Sequence, residues 1–466
     1  MKKIYLGMDI GTTNTKVLAI DEVGDQIAIA SNETIWHTKQ GGRVEANPEE
    51  IFRTCLQTTY DAIKMSKAIH GEVKVVSFAI TGLAESGVIV DSQGLALSNP
   101  VAWFDARGEK EMQDLGEEFR IGFQSKTGLV FKAEASLSTL LSLKTEGFDF
   151  KNKDIVWLNL QEYIAYRLTG TMASEPSLSS RTGLYDQSTF KMWQGAKDAL
   201  GVSDSFVPEE RTAGQSWGEI NSPFFEAELI GAVLTIAGHD HPVGALGSGA
   251  TQPDQIFNST GTSDAILRTV PGTLTDQQRF DLTSMGVSAG RHVLANMSGC
   301  IGGSRGGLIL RRSLDLIGAR RGQRLTEIDD AWSPQIKFRD VIDLTQHKSI
   351  SNDISIVVTG DAGPNELWAA ALDYMAGENK KFLAGLDKVV GKHKSSVAAG
   401  GWIKMRSVRE VKKTVMTNLE FSNVEEAGAT GAAYIASWLG QNKGDTMVEH
   451  INARVLNFSK KVVANS

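Results

Sequence analysis

The sequence predicts an α/β protein of two domains. Three observations carry that expectation. The chain has 466 residues, more than a single hydrophobic core usually spans. Buried-type strands alternate with helical segments once through each half of the chain. A strand, a Gly/Thr turn and a returning strand occur twice, near residue 10 and near residue 260. Hydrophobic residues make up 41% and charged residues 22%, so a packed core needs no staples. The net charge of −7 comes without a basic stripe, which argues against a nucleic-acid partner. No signal-peptide pattern opens the chain, and no apolar run reaches the ~18 residues of a membrane span. Two cysteines, Cys55 and Cys300, do not make a disulfide framework. The expectation is a soluble, cytoplasmic protein without a membrane or nucleic-acid partner.

The elements follow in order. Residues 5–10 form a short apolar strand that contains Asp9, Gly11-Thr12-Thr13 is its tip, and residues 16–20 return. Gly11 lets the backbone approach a ligand, and Thr12, Thr13 and Asn14 offer donors, so the tip suits phosphate. Asp9 suits Mg²⁺, directly or through water. Asn47 caps a helix that Pro48-Glu49-Glu50 opens and that runs to about residue 66. Residues 73–80 are a buried strand ending at Thr81-Gly82, with Glu85 just beyond. Helices are expected over 109–122, 136–146 and 157–168. A strand over 233–237 runs into Gly238-His239-Asp240-His241, and a small-residue helix follows. The boundary falls near there, giving domains 1–245 and 246–466. In the second half, Gly261-Thr262-Ser263 is the second turn, residues 354–359 and 396–401 are strands, and Gly400-Gly401 ends the latter. The helix opened by Glu425-Glu426-Ala427-Gly428 carries small residues for close packing.

Four segments carry chemistry. Trp103, Asp105 and Arg107 suit a polyol, with an aromatic face for C–H surfaces and polar groups for hydroxyls; the alternative is an Arg–Asp pair beside a packed Trp. Glu85 lies outside the carboxyl end of a strand, where ligands collect in open α/β sheets. Asp240 has the place and chemistry of a general base. On an extended segment His239 and His241 share a face while Asp240 points away, so a zinc site would lack its third ligand. Gly400 and Gly401 allow a flat ring to lie against bare backbone. Gly302-Gly303-Ser304-Arg305-Gly306 also matches a hydrolase nucleophile elbow, but residues 296–301 read as a poor strand, and no triad setting follows.

These pieces in this order resemble the FGGY carbohydrate kinase family of the actin-like ATPase superfamily. The resemblance extends to Leu168-Thr169-Gly170 and to Ser179-Ser180-Arg181-Thr182-Gly183-Leu184 with Trp193. It implies two actin-like (ribonuclease H-like) domains with a nucleotide and sugar cleft between them. It also implies ATP and Mg²⁺ as cofactors and phosphorylation of a sugar or polyol hydroxyl. By that match Asp9 holds the metal, and Gly11, Thr12, Thr13 and Lys16 form the first phosphate loop. Gly261, Thr262 and Ser263 form the second, and Gly400, Gly401 and Ser407 contact adenosine. Glu85, Trp103, Asp105, Arg107 and Asp240 bind substrate, with Asp240 as catalytic base. A ketopentose such as xylulose leads as substrate; gluconate, erythritol and glycerol are alternatives, as is a non-catalytic sugar or nucleotide sensor. A homodimer is the assembly the family implies. The departures are His239 and His241 around the base, Trp402 in the adenosine turn, and a Glu85 without the Arg that accompanies it in glycerol kinases.

Overall fold

The structure, a computed structural model, describes every residue except 153, 224, 262, 340–341, 347–353 and 465–466. Five strands build the first sheet: β1 (Lys2–Ile10), β2 (Asn14–Ile20), β3 (Gln26–Glu33), β4 (Val73–Gly82) and β5 (Val233–His239). Their spatial order is β5-β4-β1-β2-β3. The hairpins β1–β2 and β2–β3 are antiparallel, whereas β4 runs parallel to both β1 and β5. Three neighbouring strands therefore deliver their carboxyl ends to one edge, and Asp9, Glu85 and Asp240 sit at or just past those ends. One apolar cluster is built on Ile4, Leu6, Met8, Val75, Phe78, Ile80, Leu234 and Ile236.

The expected helix after Asn47 runs Pro48–His70. Asn47 accepts the amides of Glu49 and Glu50, and Gly71 at φ 73° ends it. The stretch expected as one helix over 109–122 is two, Glu109–Asp114 and Gly116–Thr127. Gly116, the first residue of the second, takes φ 83°, a value that breaks a right-handed helix. The expected helix 157–168 begins later. Residues Ile155–Asn159 are a strand paired with Gly87–Asp91, and the helix is Leu160–Thr169. The alternating Ile155 and Trp157 fill a strand face, a period of two that apolar content alone conceals.

By contacts, the chain forms two units. The first comprises Met1–Pro253, Thr269–Cys300 and Glu426–Ser466; the second comprises Asp254–Arg268 and Ile301–Glu425. The sequence placed one boundary at 245/246, yet 269–300 and 426–466 belong to the first unit. The physical reason for the last segment is visible in helix Ala427–Gln441, which packs on β1 and on helix Asp240–Gly247. A Cβ at Gly7 would meet Ala433 N at 2.2 Å, and one at Gly431 would meet Val243 O at 2.1 Å. In the second unit, β6 (Gln255–Thr260) lies between antiparallel β7 (Asp264–Pro271) and parallel β8 (Ser395–Ala399), and β9 (Leu419–Phe421) follows β8 in parallel.

The Gly-x-Ser-x-Gly segment also differs from its reading. Met297–Ser304 is a strand that runs into helix Gly306–Leu316. The Ser304 hydroxyl accepts the Gly306 amide at 3.2 Å, and no histidine bonds it among the described residues. The strand-then-helix context is present; the triad is not.

Candidate active site

In the first unit the turn between β1 and β2 is closed by the Gly11 amide donating to Asn14 O at 3.1 Å. A Cβ at Gly11 would stand 2.9 Å from the same oxygen, so this turn tolerates only glycine comfortably. Neighbours hold the tip from outside: Thr34 Oγ1 donates to Gly11 O and Trp36 Nε1 to Thr12 O, each at 2.8 Å. Trp103 Nε1 donates to Thr12 Oγ1 at 3.0 Å. The expected sugar-facing Trp103 and the expected phosphate loop therefore touch. The amides of Thr12 and Thr13 have no acceptor among the described residues.

Asp9 lies beneath this turn. Its Oδ1 is buried and without a hydrogen-bond partner among the described residues. Gly428 lies so near that a Cβ there would stand 2.3 Å from Asp9 Oδ2. Burial, then the nearby Asp240 carboxylate, pushes the Asp9 pKa up to about 7, while Lys16 pulls it down. Lys16, directly opposite Asp9 across the hairpin, is 2.5 Å from Glu426.

Asp240 is placed by the end of β5. The register shifts between Ile236 and Gly238, and Gly238 takes φ 113°, where a Cβ would strike Val293 and Ser177 at 2.4 and 2.5 Å. The strand ends at His239 and a helix begins at Asp240. This overturns the expectation that Asp240 faces away from the two histidines. His239 Nε2 lies 3.1 Å and His241 Nδ1 2.7 Å from the same Asp240 Oδ1. Burial works to raise the Asp240 pKa, but His241 and then His239 outweigh it and hold the carboxyl well below the usual range. Burial opposes the charge on His241, and Asp240 overcomes it, raising the imidazole pKa.

Glu85 adopts φ 69°, an unusual left-handed conformation for a non-glycine residue. Arg181 Nε and Nη2 reach its Oε1 at 2.7 and 2.6 Å. Sequence reasoning found Glu85 without an Arg; the partner stands 96 residues away, inside the Ser179–Leu184 run. Asp105 and Arg107 form a nearly buried pair joined at 2.8 Å, with Asp105 also accepting the Val44 amide and Arg107 reaching Glu45. Both spend their polar atoms on the protein, whereas Trp103 is 38% exposed.

In the second unit, Gly261 N donates to Ser263 O at 2.9 Å and Gly261 O accepts Trp402 Nε1 at 2.9 Å; Thr262 lies outside the described residues. Trp402 thus braces the second turn. Gly400, at φ 102°, passes Thr260 so closely that a Cβ would stand 2.4 Å from its carbonyl, while Gly401 faces open space. Ser407 is fully buried and donates its hydroxyl to Asp329, while Trp368 Nε1 donates to it at 3.1 Å. It anchors helix Arg406–Val415 rather than facing that space. Beneath the turn lies a polar network absent from the sequence reading. Lys412 Nζ bonds Asn258 Oδ1 at 2.5 Å, and Asp264 Oδ1 accepts from Asn258 Nδ2 and Thr260 Oγ1 at 2.7 and 2.9 Å.

Residues 4–247 match the FGGY family of carbohydrate kinases, N-terminal domain. The match covers just over half of the chain, and the chain belongs to this family. It is 26% identical over 273 residues to a glycerol kinase of Thermococcus kodakarensis, covering 57% of this chain and 54% of that one. It is 24% identical over 268 residues to a xylulose kinase of Staphylococcus epidermidis, covering 57% and 53%. The chain thus spans about half the length of the curated relatives it matches. The solved glycerol kinase of Plasmodium falciparum with ADP superposes with a TM-score of 0.84 at 18% identity, over 97% of this chain and 92% of that one. The fold is that of the two-domain, actin-like FGGY kinases. No helix among the described residues is long and apolar enough to cross a membrane.

Proposed function

We propose that the chain transfers the γ-phosphoryl group of ATP to a hydroxyl of a sugar or polyol. The observation that carries this reading is the gathering of Asp9, the Glu85–Arg181 pair and Asp240 at the carboxyl ends of three adjacent strands. In this reading Gly11, Thr12, Thr13 and Lys16 bind phosphate oxygens, chiefly through the Thr12 and Thr13 amides, which have no acceptor among the described residues. In the second unit, Gly261, Thr262 and Ser263 form a second phosphate-binding turn in this reading. Gly400 and Gly401 accept the adenine, with Gly401 offering open backbone. Ser407 acts through the helix it anchors.

Asp9 fits Mg²⁺: it is a buried carboxylate with one oxygen unpartnered among the described residues, the hard donor that this cation prefers. Bound there, Mg²⁺ would neutralise phosphate charge that the protein alone leaves exposed. Asp240 is ionised at neutral pH, held so by two imidazoles, and accepts the proton of the attacking hydroxyl. A carboxylate with so low a pKa is a weak base. Phosphoryl transfer nevertheless depends more on positioning than on base strength. Trp103 offers its exposed ring to the C–H face of the sugar. Glu85 and Arg181 order hydroxyls as a charged pair, while Asp105 and Arg107 shape the wall behind Trp103.

A ketopentose such as xylulose leads as substrate; glycerol, gluconate and erythritol follow. The assembly proposed is a cytoplasmic homodimer, which light scattering after gel filtration would read directly. The test of function is ADP release from MgATP in the presence of each sugar, with the phosphorylated product isolated. Turnover on at least one supports the reading. ATP binding without turnover on any sugar of a broad library would overturn it and favour a sensor.

A further inference from the structure

His239, Asp240 and His241 are the one group of three histidine and acidic side chains among the described residues whose ligand atoms converge, all within 4.8 Å of one another. The convergence comes from the turn between strand and helix, and the turn is pinned. The His239 amide donates to Ser177 Oγ at 2.9 Å, and that hydroxyl donates to Glu175 Oε2 at 2.6 Å. Gly238 has no room for a side chain, as shown above. The three ligand atoms therefore sit on a fixed backbone, which is what a metal site requires of its scaffold.

Access is graded. The His239 side chain is 8% exposed, Asp240 27% and His241 36%, so one ligand is seated inside and two open outward. Ligand atoms on a tetrahedral Zn²⁺, with bonds of about 2.0–2.2 Å, lie about 3.3 Å apart. The separations of 3.1 and 2.7 Å from Asp240 Oδ1 lie around that spacing, and with all three atoms within 4.8 Å of one another the two imidazoles close on a shared cation by side-chain rotation. Other histidine–carboxylate contacts, His393 with Asp387 and His450 with Asp445, offer two groups each.

We propose that His239 Nε2, Asp240 Oδ1 and His241 Nδ1 bind a divalent cation of the Zn²⁺ class, leaving its fourth position open, and that occupation removes Asp240 from proton acceptance. Two imidazoles and one carboxylate favour Zn²⁺ or Co²⁺ over Mg²⁺, which prefers oxygen ligands throughout. Mg²⁺ at Asp9 and Zn²⁺ at this triad are therefore separable by chemistry. The binding half of the inference stands on geometry alone; the inhibitory half rests on the kinase reading above.

The test uses the whole 466-residue chain without nucleotide, titrated with Zn²⁺ by calorimetry and with Co²⁺ by visible absorption. One molar equivalent should bind, with the intense bands of tetrahedral Co²⁺, and excess Mg²⁺ should not displace it. His239→Gln and His241→Gln should each weaken binding at least tenfold, with thermal melting showing that both variants remain folded. No saturable binding at millimolar metal would overturn the proposal, as would unchanged binding in the double His variant. Zn²⁺ binding lost in these variants, with no phosphorylation of any sugar, would leave the metal site standing while the kinase reading falls. Phosphorylation undiminished with the site saturated by Zn²⁺ would overturn the inhibitory half.

Discussion

Lys412→Met keeps the apolar stem of a buried side chain and deletes its charge. Lys412 is fully buried, with Asn258 at 2.5 Å and Asp264 at 3.2 Å. Burial depresses its pKa, and Asp264 opposes that only in part. Removing one partner of a buried pair strands the other and costs about 3–5 kcal/mol. Asp264 would keep its donors from Asn258 and Thr260, which puts the loss near the lower end, about 3 kcal/mol. With a urea dependence of about 2–3 kcal/mol per molar, the unfolding midpoint of the second unit falls by roughly 1 M. Trp332, Trp368 and Trp402 report this unit over the signal of the six tryptophans of the first unit, so the shift is read from the difference between the melts of variant and parent. Adding Asp264→Asn removes the stranded charge and should recover part of the loss. Because Asn258 and Thr260 lead into the 261–263 turn, ATP affinity should fall in the single variant too. A loss below ~0.5 kcal/mol, or a double variant no more stable than the single, would refute the argument that the pair is energetically coupled.

Three further outcomes are expected. Gly428→Ala gains helix propensity of about 0.5–1 kcal/mol yet forces a methyl to 2.3 Å from Asp9 Oδ2. Net destabilisation and loss of Mg²⁺-dependent ATP binding should follow; a more stable variant with intact binding would contradict the packing. Arg181→Gln strands Glu85 and should raise the sugar KM tenfold or more, about 1.4 kcal/mol, while ATP affinity changes little; an unchanged sugar KM would refute the pairing role. Glu162, buried beneath the amides of Asn159 and Glu175, has its pKa pushed by burial from 4.5 to about 8. The folded state therefore holds a proton that the unfolded chain releases, a contribution present below pH 4.5 and lost as pH rises through about 8. Glu162→Gln mimics the protonated form, so its stability relative to the parent should rise from pH 5 to 9 in urea melts; a pH-independent difference would contradict the shift.

Both hairpins could be read from sequence because strand, turn and strand are local, and Asn47-Pro48 announced its helix for the same reason. The site was legible as a set of residues at strand ends, but not as contacts. Arg181 meets Glu85, and Asp329 and Trp368 bury Ser407, across separations that no local pattern encodes. The His239–Asp240–His241 geometry turned on where β5 stops. An extended segment separates the three, and the one-residue switch into a helix brings them together. The interleaved units were hidden for a related reason. Helix Ala427–Gln441 returns to the first sheet through small residues, and their spacing says close packing without naming the surface packed against.

The central claim is that Asp240 accepts the substrate proton. It is tested by comparing parent and Asp240→Asn in steady-state phosphorylation of the sugar that turns over, alongside direct titration with ATP. The account predicts kcat lower by about 10²–10⁴-fold with ATP affinity nearly unchanged. Full kcat in Asp240→Asn would contradict it.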